Sequence, residues 1–189
     1  MSRKTFYGVR STEDAAELAR HACMMISPKT AHQAIPLVIG TGCAETALGQ
    51  TRDNYLAQGR GIVQLDEVRF LDIRDHVLRR RPHLNKLCIE EFNFDFNSIG
   101  FGIVLDHSPL LCFVICRIGY MMKEPPLPHQ HDLYAQAGYW KDHWNSNAKN
   151  AAGTREHYMK AWRVFTHNEG GARVYNGQNL AADKIKWSR

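Results

Sequence analysis

Leu110 to Met122 is the strongest apolar run in the chain, and Arg117 is the only charge inside it. The run falls short of the roughly 20 residues needed to cross a bilayer. It is therefore a buried helix, opened by Ser108-Pro109, around which the rest of the chain has to close. The full 189 residues, 44% apolar and 23% charged, amount to one ordinary globular domain able to bury a core without help.

The surrounding sequence reads largely as further helices. Ser11 followed by Asp14 is a capping signal, and Ala15, Leu18, Ala19 and Ala22 continue at helical spacing, which predicts a helix over about 12–25. Pro28 opens a second, over 29–47, apolar despite Pro36 and running into Glu45. A third covers 67–80 and ends before Pro82. A fourth runs from Asp132 to about Ser146, after a rigid loop marked by Pro125, Pro126 and Pro128. Thr154 is an N-cap for a last helix carrying Tyr158, Ala161, Trp162 and Phe165. Two segments read as β. Ile62 to Leu65 is a short apolar strand in a hairpin or irregular β segment, and the alternation of Phe92, Phe94 and Phe96 fits a half-buried strand. The expected class is mostly α with a small β hairpin. A domain spans 1–166, and residues 167–189 form a polar, glycine-containing tail.

Composition narrows the function classes. A formal charge of +5 and a pI near 9.0 point to an anionic partner. Nucleic acid is disfavoured, because Arg79-Arg80-Arg81 is the only tight basic cluster and reads as a solvated helix end. Met1-Ser2-Arg3-Lys4 is followed by polar residues rather than an apolar segment, so no secretory signal is expected. Five cysteines, an odd number scattered among apolar neighbours, read as core thiols rather than a disulfide framework. Cys112 and Cys116 could share a helix face, but two thiols without a further Cys or His pair make a poor zinc site. His129-Gln130-His131-Asp132, after the prolines, reads as an exposed loop and helix cap. No metal or cofactor is expected.

Glu45 sits at the C-terminal end of an apolar helix, where apolar surroundings and the negative end of the helix dipole both disfavour ionisation. Read alone it is a surface glutamate in a last turn. Sixteen residues later, however, Gly61-Ile62-Val63-Gln64, directly preceded by Gly59-Arg60, supplies glycines that let a backbone approach a flat ring, and a glutamine able to hydrogen-bond an acetamido group or the acid. The spacing between the two is what makes them informative.

Glu45-Thr46 followed by Gly61-Ile62-Val63-Gln64 resembles the catalytic Glu-Ser and Gly-Leu-Met-Gln motifs of soluble lytic transglycosylases and goose-type lysozymes. Continuing through Leu65-Asp66, the run is similar to the goose-type segment in which a hydrophobic residue and an aspartate follow the glutamine. Gly59 to Leu65 is also similar to a run in family 19 chitinases, whose acid also sits in a Glu-Thr pair. Trp144-Asn145, then Gly153-Thr154, stands where these enzymes carry a groove-lining Tyr-Asn-x-Gly motif, and His143 to Thr154 looks like a segment of phage-encoded cell-wall lysins. The likeness covers roughly residues 29–165, with the first two motifs the specific ones.

This resemblance implies a lysozyme-like α+β fold and cleavage of the β-1,4 bond between N-acetylmuramic acid and N-acetylglucosamine. Glu45 would be the acid, and Thr46, Gly61, Gln64, Trp144 and Asn145 would bind substrate. In a transglycosylase Glu45 also acts as the base that closes a 1,6-anhydro ring. In an inverting lysozyme an aspartate activates water across a gap of about 6.5–9.5 Å, and either Asp66 or Asp53 would serve. The same resemblance implies a phage product, found in the virion or host cytoplasm and acting on the periplasmic or external cell wall. The partner would be the peptidoglycan glycan strand. Two alternatives remain open: a chitin-cleaving enzyme, and an inactive structural virion protein whose 167–189 tail docks onto other virion proteins.

Overall fold

The structure is a computed structural model and describes residues 4–52, 59–145 and 153–167. Eight α-helices run through these residues: α1 (Thr12–Ile26), α2 (Ala31–Thr46), α3 (Glu67–Arg80), α4 (Pro82–Phe92), α5 (Val104–His107), α6 (Pro109–Met121), α7 (Leu133–His143) and α8 (Arg155–His167). A single 3₁₀ turn, Pro28–Thr30, leads into α2. The apolar run is the central helix α6, in which every residue from Leu111 to Tyr120 is buried. α1 lies along α6 and α2, α8 packs on α2 and α7, and α3 joins α4 to α6. No helix among the described residues is long and apolar enough to cross a membrane.

Local chemistry accounts for the helix boundaries. Ser11 Oγ accepts the Asp14 amide at 3.1 Å to open α1, whose Ala15, Ala16, Ala19, Ala22 and Cys23 form a flat buried face against α6 and α2. α2 runs unbroken through Pro36. Asp66 caps α3, Asp132 caps α7, and Thr154 Oγ1 accepts the His157 amide at the start of α8. Arg79 and Arg80 lie exposed in the last turn of α3, where cations meet the negative end of the helix dipole. All five cysteines are buried free thiols.

The fold is all-α among the described residues, and the expected α+β class with its β hairpin is not formed. What stands at the hairpin is one isolated antiparallel bridge between Arg60 and Leu65, joined by two backbone hydrogen bonds of 2.8 and 2.9 Å. The bridge cannot extend, because Asp66 immediately caps α3. Ile62, Val63 and Leu65 are all fully buried, so the apolar run fills the core instead of alternating across a sheet. The expected strand at Phe92–Phe96 is also absent. Pro82 starts α4 rather than a loop, and α4 ends at Phe92 with Asn93 in the left-handed region at φ 50°. Phe94 and Phe96 then close on Phe70, with ring centroids 6.3 and 5.9 Å away. The Asn85 side chain does the work of a partner strand, donating to Asp95 and accepting the Phe96 amide, both at 2.9 Å. The expected 167–189 tail falls, beyond His167, outside the described residues.

One glycine sets how closely α8 approaches α2. A Cβ at Gly40 would land on the Tyr158 hydroxyl, which lies over the helix 3.4 Å from the carbonyl oxygens of Pro36 and Leu37. Gly40→Ala should therefore destabilise the protein by about 1–3 kcal/mol through overpacking, lowering Tm by about 2–4 °C per kcal/mol. Gly100→Ala, with nothing within 4 Å of its Cβ, should leave the thermal melt unchanged.

Candidate functional site

The last turn of α2 carries Glu45 half-buried and Thr46 buried. Past it the chain makes a sharp exit, with Ala47, Leu48 and Gly49 all at positive φ (48°, 53° and 84°). Two successive non-glycine residues in the left-handed region carry local strain. Leu48 holds the exit by packing in the core, 1% exposed, with its amide bonded 2.9 Å from the Gly42 carbonyl.

Thr46 is the link between the two specific motifs. Its hydroxyl donates to the Ile62 carbonyl at 2.7 Å and accepts the Gly49 amide at 3.2 Å, so the helix end and the Gly61–Gln64 turn are tied through one buried side chain. The turn is closed by the Gln64 amide donating to the Gly61 carbonyl at 3.1 Å. Gly61 has φ +67°, and a Cβ there would strike Cys112 Sγ and come within 2.6 Å of the Leu105 carbonyl oxygen, so both conformation and space require glycine. Its amide donates to Asp106 Oδ1 at 2.8 Å, while Arg60 pairs with Asp106 Oδ2 at 2.9 Å.

Trp140 and Trp144 are one turn apart at the C-terminal end of α7, and their indoles grip the two motifs separately. Trp140 Nε1 donates to Glu45 Oε1 at 3.0 Å, and Trp144 Nε1 donates to the Val63 carbonyl at 3.0 Å. Arg69 holds Trp144 from the other side, donating to the carbonyls of His143 and Trp144 and lying 4.8 Å over the indole. From α8, His157 Nε2 donates to the Ala44 carbonyl at 2.8 Å, serving one of the carbonyls that a helix end leaves without an intrahelical partner. Gly153 lies against the Trp140 ring and the Asn145 amide, where a Cβ would come within 2.6 and 3.1 Å. Asn145 is held by Lys141, whose Nζ donates to its carbonyl and Oδ1 at 3.2 and 3.0 Å.

The expected site residues therefore separate into two groups. Glu45, Thr46, Gly61, Gln64 and Trp144 form one connected network, with Asn145 beside it through Trp140. Within that network Gly61 faces inward, Trp144 is 5% exposed, and Gln64 Nε2 donates to Tyr7 Oη at 3.1 Å and the Gly61 carbonyl at 2.9 Å. These three residues pack or hold the turn itself. Asp66 caps α3, its Oδ1 accepting at 2.7 Å the amide of Arg69, the residue that also holds Trp144. It lines a separate shallow pocket with Arg69, Asp72, Lys123, Asp142 and His143, where burial and the Lys123 charge push the His143 imidazole down. Asp53 lies outside the described residues.

Sequence reasoning missed Trp140 and His157. Two indoles four residues apart share a helix face, and that spacing was the available signal for Trp140. His157, 113 positions from the carbonyl it serves, had none. Around the site, burial pushes the Cys116 thiol and the Tyr120 and Tyr158 phenols well above their ordinary ranges, so these groups stay neutral at physiological pH. No family model, curated protein or solved structure matches the chain.

The network makes a thermodynamic prediction. Thr46→Val leaves the Ile62 carbonyl and the Gly49 amide without their partner, and Trp144→Phe does the same to the Val63 carbonyl; each should cost about 1–3 kcal/mol in urea unfolding. Because both side chains hold adjacent carbonyls of one turn, the double variant should depart from additivity by about 0.5 kcal/mol or more.

Proposed function

We propose that this protein cuts the glycan strand of peptidoglycan between N-acetylmuramic acid and N-acetylglucosamine, with Glu45 as the acid. The observation that carries this reading is the junction at Thr46. One hydrogen bond joins the Glu-Thr pair to the glycine-glutamine turn, so the two motifs that resemble those of lytic transglycosylases and goose-type lysozymes meet in space as well as in sequence. Glu45 also has the setting an acid of this kind needs. It is half-buried at the negative end of α2, and the Trp140 indole fixes where its carboxyl lies. The proposal rests on this local arrangement in an all-α scaffold, not on an α+β fold.

In the reaction Glu45 gives its proton to the glycosidic oxygen as the C–O bond breaks and the bonding electrons pass to that oxygen. Asp66 caps α3 and the other candidate base, Asp53, lies outside the described residues; we propose the transglycosylase route, which needs neither. There the Glu45 carboxylate takes the proton of the muramyl C6 hydroxyl, which closes the 1,6-anhydro ring without a second acid. The +5 charge suits a polyanionic wall. A phage origin, with delivery to the wall from the virion or host cytoplasm, belongs to the same proposal.

Purified cell wall tests it. The wild type should solubilise peptidoglycan, and Glu45→Gln should lower the rate by about a hundredfold or more with little change in Tm, because the glutamine oxygen still accepts the Trp140 bond. Mass spectrometry of the products should show anhydromuramyl ends, whereas reducing ends would assign a hydrolase. A wild type that leaves peptidoglycan intact but digests chitooligosaccharide would reassign the substrate. One that cleaves neither would favour an inactive structural protein.

A further inference from the structure

We infer that Trp140 is a positioning residue for Glu45: it holds one carboxyl oxygen and makes release of the Glu45 proton easier. The inference rests on the glycosidase reading above. An indole N–H can only donate. At 3.0 Å from Oε1 it therefore needs a lone pair there, and in the neutral acid the stronger acceptor is the carbonyl oxygen. The carboxylate is a stronger acceptor still, so the contact favours the ionised form of Glu45.

The same bond changes strength during the reaction. While Glu45 is neutral it is an ordinary N–H···O contact. As the Glu45 proton passes to the glycosidic oxygen and the sugar C–O bond breaks, Oε1 gains negative charge and the bond becomes charge-assisted, roughly twice as strong. An interaction that strengthens along the reaction coordinate lowers the barrier rather than tightening substrate binding. Trp140 should therefore act on kcat and leave KM nearly unchanged.

The indole is held firmly enough for this role. Trp140 is 1% exposed, its ring lies 5.4 Å from Tyr158 and 6.4 Å from His157, and its carbonyl accepts the amides of Trp144 and Asn145 at 2.8 and 2.9 Å. His157 fixes the neighbouring backbone through the Ala44 carbonyl, so α7 holds the carboxyl and α8 holds the turn that bears it. Other titratable groups face this region. Cys43 on α2, Cys116 on α6 and Tyr158 on α8 are pushed up by burial and stay neutral, and Cys23 of α1 and Arg69 of α3 couple electrostatically to Cys116. His157 is the neighbour that needs a control, since histidine ordinarily titrates near neutrality.

The test reads the pair directly, with or without turnover. In the full-length protein the Trp140 indole proton resonance, assigned by its loss in Trp140→Phe, should move with pH in one step. The step should vanish in Glu45→Gln and persist in His157→Gln. A resonance that does not move with pH, or whose step is lost in His157→Gln and kept in Glu45→Gln, overturns the inference. On peptidoglycan, Trp140→Phe should lower kcat by about tenfold or more with KM little changed. Without the donor the carboxylate is less stabilised, so the alkaline limb of the kcat profile should move to higher pH. A variant with the wild-type profile and kcat overturns the role. If the wild type solubilises no peptidoglycan while the resonance still titrates with Glu45, the glycosidase reading falls and the Trp140–Glu45 coupling stands.

Discussion

The hydroxyl of Thr46 is the constraint on which the site depends. Buried at the end of α2, it donates to the Ile62 carbonyl and accepts the Gly49 amide, so the helix end, the strained exit and the following turn form one unit. The Gly61–Gln64 turn is also held by its own closing hydrogen bonds, by the Trp144 indole, and by Asp106 and Tyr7, but Thr46 is what ties it to the end of α2. Glu45 gains its setting from this junction: the residue after it is fixed in the core, and its side chain is left to meet α7.

The scaffold behind the junction is rigid because its helices approach closely. The alanine face of α1 lies on α6 and α2, and Gly40 lets the Tyr158 phenol lie directly on α2. α6 fills the centre with Phe113, Ile115, Ile118 and Tyr120, and the Tyr120 hydroxyl meets Thr41 Oγ1 at 2.7 Å. Its single charge, Arg117, is also buried, with Nη2 donating to Thr30 Oγ1 at 2.7 Å at the entrance to α2. Burying a guanidinium is unfavourable unless its donors are served, and burial pushes its proton affinity down. The link to Thr30 nonetheless ties α6 to the start of α2, while Thr41 and Tyr120 tie the two helices further along.

Much of this was legible in the chain. Periodicity and caps marked α1, α3, α7 and α8 to within a few residues, since Ser11, Asp132 and Thr154 sit where helix starts need side-chain acceptors. The apolar run gave α6 as a buried helix. The two β readings did not hold, for related reasons. Ile62–Leu65 and Phe92–Phe96 have strand-like composition, but a strand needs a neighbour to satisfy its backbone. Here Thr46 and Trp144 serve the first backbone and Asn85 the second. Pro82 was legible as a break between helices; that it also opens α4 follows from its missing amide costing nothing at a first helical position.

For the site, the sequence by itself singled out Glu45, the threonine beside it and the glycine turn sixteen residues on, because these are local patterns with fixed spacing. The sequence assigned Gly61 to the approach of a flat ring; that the position must be glycine follows from its φ of +67° and from Cys112 and Leu105 beside it. Only the tertiary structure decided that Trp140 reaches Glu45 across 95 positions and that His157 reaches Ala44 across 113. It alone assigned Gln64 and Trp144 to holding the turn and Asp66 to capping α3. Such pairings are set by how α7 and α8 dock on α2. That docking follows from the summed packing of the core, which no local run of residues encodes.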